Sequence, residues 1–123
     1  MINPRQTINI NGGEEVLLFL PSMFLIAKQR KLSLEVRDAN DKMEVRDLYI
    51  RIIYLAYLVS WDKKVYDGRE KGEPPLRIED FDIWAYQNGE RFGELGTLIV
   101  EFLTGKTPSE ILQAKGAESK KKR

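Results

Sequence analysis

Between Leu48 and Trp61 the chain is almost wholly apolar, with Arg51 and Ser60 the main interruptions. Leu48, Ile52, Leu55 and Val59 fall on one helical stripe, and Tyr49, Ile53, Ala56 and Tyr57 on a neighbouring one, so a helix over about 44–61 has to be covered on more than one side. Such a helix belongs at the centre of a fold. It is too short to span a bilayer, which takes roughly 20 apolar residues. With 123 residues, 42% of them hydrophobic, the chain is long enough for one core and short for two.

The segments around this helix divide into strand and helix patterns. Thr7 to Ile10 alternate polar and apolar, Asn11-Gly12-Gly13 tolerates positive φ, and Glu14 to Leu20 returns as an extended run, which predicts a β-hairpin over about 6–20. Val16 to Leu20 are all apolar, so both faces of the return strand should be covered, one by helices and the other by a partner chain. Pro21 stops the strand, and Ser22 is placed to cap a helix over about 23–31. Residues 33–42 lack a sustained period and are expected to connect, and Gly68, Gly72 and Pro74-Pro75 make 62–76 mainly loop.

Helical spacing returns over about 78–88 and 90–104, with Glu79 and Asp80 near the positive end of the first. Asn88-Gly89 separates the two, and Gly105 stands where a left-handed cap is wanted. Thr107-Pro108-Ser109-Glu110 has the form of a capping box opening a last helix over about 108–115. The predicted class is α+β and mostly α-helical: an N-terminal β-hairpin followed by four or five helices in a single domain over 1–115. A disordered basic tail, 116–123, follows.

Charge and composition remove most chemistries. The chain has no Cys and no His, which eliminates thiolate or imidazole zinc sites, disulfides, nucleophilic Cys and every mechanism with an imidazole base. The net charge is +1, but Lys115, Lys120, Lys121, Lys122 and Arg123 face only Glu118 near the end, leaving the rest acidic on balance. That distribution does not resemble a duplex-binding domain, so nucleic acid is an unfavoured partner. Val16 to Ala27 is broken by Pro21 and preceded by acids rather than bases, so it is not read as a secretion signal. The expected location is the cytoplasm, with no membrane contact.

Several constellations suggest a site at first sight. Asp38, Asn40 and Asp41 suggest a calcium loop, but Met43 and Tyr49 stand where it needs Gly and Glu. Glu79, Asp80 and Asp82 cannot all share one helix face. Gly105-Lys106-Thr107 ends like a phosphate loop, but Val100 occupies the position of its first Gly. Gly93 and Gly96 are taken to let another helix approach closely. The aromatic middle, Tyr49 to Tyr86, is read chiefly as core. No catalytic residue, metal site or cofactor is predicted.

One resemblance is carried by the order of the elements. Ile10-Asn11-Gly12 in a hairpin, a short helix, an apolar central helix, Pro74-Pro75-Leu76, an acidic helix start running from Ile78-Glu79-Asp80 to Trp84, a further helix and a Lys-rich end together resemble the tail assembly chaperones of long-tailed bacteriophages. The resemblance extends over nearly the whole chain, although Arg77 stands where relatives commonly carry Thr or Ser. It implies a non-enzymatic protein of the infected or lysogenic bacterial cell, one that binds the tape-measure protein and helps recruit tail-tube subunits. It also implies a longer product by ribosomal frameshift, for which Lys120-Lys121-Lys122 would supply A-rich codons. A tape-measure chain exposes apolar surface that a small helical domain would cover. Leu17, Phe19, Met23 and Phe24 are the expected partner-binding residues, with core packing as the competing account; self-association is left open. The alternative function is a small nucleic-acid-binding or regulatory protein using the basic tail.

Overall fold

A computed structural model describes residues 4–32 and 42–104. The connecting stretch at 33–41, the helix expected over 108–115 and the basic tail lie outside these described residues. The elements are β1 (Arg5–Ile10), β2 (Gly13–Leu18), α1 (Ser22–Gln29), α2 (Lys42–Tyr66), α3 (Ile78–Gln87) and α4 (Gly89–Thr104). The predicted class holds: an antiparallel hairpin is followed by helices, in a small and mostly helical α+β arrangement.

The hairpin turns on Asn11 and Gly12, both at positive φ (52° and 80°). This is the geometry of the tight turn that Asn-Gly favours, and it fixes the register, with Ile10 opposite Gly13 and Ile8 opposite Glu15. The return strand ends at Leu18 rather than Leu20. Phe19 still donates its N–H to the Pro4 carbonyl at 2.8 Å, after which Pro21 turns the chain into α1.

Ser22 does not cap α1. It is the first helical residue, Pro21 holds the N-cap position without a side-chain bond, and the early amides of Met23 and Phe24 donate to the carbonyls of Leu20 and Pro21. At the other end Lys31 takes φ 57°, and Leu32 and Lys31 donate to the Ala27 and Lys28 carbonyls, a Schellman closure built with Lys instead of Gly.

α2 runs to Tyr66, five residues past the expected end at Trp61. Nothing from Asp62 to Tyr66 breaks a helix, and Lys63 and Lys64 suit its negative end. It stops where Gly68 supplies φ 75°, letting Arg69 and Gly68 donate to the Lys64 and Val65 carbonyls. The loop beyond is tied back, because the Trp61 indole donates to the Gly72 carbonyl at 3.1 Å and the Leu76 N–H donates to the Tyr57 hydroxyl at 3.3 Å.

From Ile52 to Ser60 only Tyr54 is less than fully buried, so α2 is the axis of the core, as its double stripe requires. The hairpin, α1, α3 and α4 all pack against it, placing Leu17, Met23, Phe81, Leu95 and Ile99 around it. α3 gives way to α4 with Asn88 alone between them: its N–H and side-chain amide both donate to the Trp84 carbonyl, and its own carbonyl accepts from Phe92.

The glycines of α4 do not serve a close helix approach. A methyl group at Gly93 would meet nothing within 4 Å, and one at Gly96 would touch the Tyr49 ring at 3.6 Å, ordinary van der Waals contact. Gly93 opens onto a shallow apolar cleft beside Tyr49 and Phe92 rather than onto a packed neighbour.

Candidate functional site

The four residues expected to meet a partner are split by the way α1 lies on the hairpin. Leu17 and Met23 are fully buried and Phe19 is 2% exposed, so these three belong to the core of the single chain. Phe24 is different, with 43% exposure. The reason is local. Met23, Ile26 and Ala27 take the inward stripe of α1, which turns Phe24 and Leu25 outward.

The exposed Phe24 ring lies parallel to Phe102, at 6.2 Å between centroids and 6° between planes. Phe102 in turn contacts the buried Phe19 at 6.2 Å and 58°, so a line of three rings leads from the core to the surface. Leu20 at the entry to α1 and Leu103 beside Phe102 are also exposed, Leu103 by 43%. The start of α1 and the end of α4 thus present an apolar surface that includes the paired Phe24 and Phe102 rings. Leu20, Phe102 and Leu103 join this surface beside Phe24 and were not among the expected residues. Phe102 and Leu103 look like two more members of α4's apolar stripe, and no local period tells which members of that stripe stay at the surface.

Two of the candidate acids do structural work. The Asp80 carboxylate accepts the Arg77 N–H at 2.7 Å, closing the start of α3 in place of a Thr or Ser cap. Asp82 pairs with Arg46 at 2.6 Å, joining α3 to α2. Arg46 also lies over the Phe92 ring, 5.9 Å from its centre. Among the described residues no group of acids is arranged to hold a metal ion, and no helix is long and apolar enough to cross a membrane.

Two tyrosines are perturbed. Burial pushes the Tyr57 hydroxyl up to about 12, against a smaller lowering by the Leu76 N–H that donates to it. Burial also raises Tyr54, with Arg30 opposing. Desolvation disfavours the phenolate in both cases, so neither hydroxyl is poised as a base near neutral pH. Their rings pack against Phe81 at 5.3 and 5.7 Å, which identifies them as core residues with polar tips.

The chain matches no protein-family model, no curated protein and no solved structure.

Proposed function

We propose that this chain is a non-enzymatic tail assembly chaperone of a long-tailed bacteriophage or prophage, acting in the host cytoplasm. It binds the tape-measure protein and holds it for tail-tube subunits. The order of hairpin, short helix, apolar central helix and two further helices supports this reading.

The observation that carries it is the apolar surface around Phe24 and Phe102, with Leu20 and Leu103. Large apolar side chains left exposed on a folded domain are the physical requirement for covering an aggregation-prone apolar helix. An amphipathic helix of the tape-measure protein laid over α1 and the end of α4 would exchange exposed apolar area on both partners for contact. Replacement by tube subunits then requires only reversible contacts.

Co-expression with the tape-measure protein of the same phage genome tests the proposal. The tape-measure protein should become soluble and co-purify with this chain. If its solubility is unchanged and it is not captured, the reading fails.

A further inference from the structure

One flank of α4 stays apolar beside the stripe that enters the core. Phe92, Gly96 and Val100 follow one another at four-residue spacing, with Gly93 and Thr97 next to them. Together with the Tyr49 ring of α2 they line a cleft of about 250 Å³. Phe92, Val100 and Tyr49 are each only half-buried, so the cleft keeps apolar walls in contact with solvent. An enclosed apolar cavity of about 150 Å³ accepts a benzene ring; this cleft has room for branched aliphatic side chains.

The chain beyond α4 is matched to this cleft in length and pattern. α4 ends at Thr104, and Gly105 and Lys106 alone separate it from Thr107-Pro108-Ser109-Glu110, the capping-box sequence. A connection this short sets consecutive helices antiparallel and adjacent. A helix over 108–115 is about 12 Å long, as is α4 from Thr104 back to Gly96. Folded back along α4, it brings Ile111 and Leu112, its two large aliphatic side chains, level with Val100. On its Phe102 side α4 already meets α1, which leaves the Tyr49 side for the returning chain.

We propose that segment 108–115 of this chain docks in the cleft between α4 and Tyr49, with Ile111 and Leu112 against Val100, Thr97 and the Tyr49 ring. Burial of these aliphatic side chains supplies the driving force. The short tether holds the segment at an effective concentration on the order of millimolar, which favours it over a separate molecule of similar apolar content. The cleft is distinct from the surface around Phe24 and its occupant is the chain itself, so this inference stands or falls independently of the assembly reading.

Because the chain has no Cys, a Gln113→Cys variant of the full chain takes a nitroxide label at that position alone. Backbone amide intensities are then compared before and after reduction of the label. The loss should be deepest at Tyr49, Gly96, Thr97 and Val100 and shallower at Phe24. Adding Ile111→Asp and Leu112→Asp to the labelled chain should remove this pattern while the amides of α1 to α4 stay dispersed as in the wild type. A loss centred on Phe24 and Phe102, a loss spread evenly over the chain, or a pattern unchanged by the two Asp substitutions would overturn the proposal. So would a pattern that appears when the label is carried by a separate copy mixed with unlabelled chain, since the occupant would then be a second molecule.

Discussion

Phe19 and Phe24 are two aromatic residues on either side of a strand-to-helix corner, yet one is core and the other surface. Phe19→Ala should cost about 3 to 5 kcal/mol, the usual price of emptying a buried aromatic site, whereas Phe24→Ala should cost about 0.5 to 1.5 kcal/mol, the order of one aromatic pair. Denaturant unfolding of both variants checks this; equal losses would mean that Phe24 is held as firmly as Phe19. Tyr57 gives a second residue-scale test. Its folded pKa, near 12, lies above the ordinary 10.0, so the unfolded chain ionises first. The stabilisation from keeping this hydroxyl neutral is complete below pH 10 and is lost as pH rises through about 12. Tyrosinate absorbance should therefore show a late component that Tyr57→Phe removes; an unchanged titration in that variant would disprove the assignment. Residue identity alone could not separate Phe19 from Phe24, because both suit a core.

At the scale of elements, what the sequence made readable was kind and order. The period-2 run with Asn-Gly, the double stripe of α2 and the stripe of α4 each have one regular structure that buries them. Boundaries were less readable. α2 outran its expected end because Asp62 to Tyr66 carry no breaker, although their polarity resembles a loop. At the start of α3, Arg77 stands in place of a Thr or Ser cap, and Asp80 reaches back to close the helix end. Gly93, whose place in α4 suggests a close helix approach, faces open space. With a helical backbone and room for a methyl group, Gly93→Ala should stabilise the fold by about 0.4 to 1 kcal/mol and raise Tm by a few degrees. A calorimetric scan showing a lower Tm would mean that the glycine is needed.

For the whole molecule, the proposed function rests on which apolar surface remains after the elements have packed. That quantity is set by long-range meetings: α4 against α1 through Phe102, α3 and α4 against the β1 edge through Trp84 and Arg91. None of these is written in a local period, which is why the sequence could not tell that Leu17, Phe19 and Met23 are buried while Phe24 stays exposed. The absence of His and Cys narrowed the chemistry from the start, and of the acids at the start of α3, Asp80 closes the helix end and Asp82 pairs with Arg46. The most direct test compares wild type with a Phe24→Glu, Leu103→Glu variant, measuring how much tape-measure protein stays soluble on co-expression with each. The account predicts that the variant keeps the wild-type Tm within a few degrees and loses most of the solubilised partner. Undiminished solubilisation by a folded variant would contradict it.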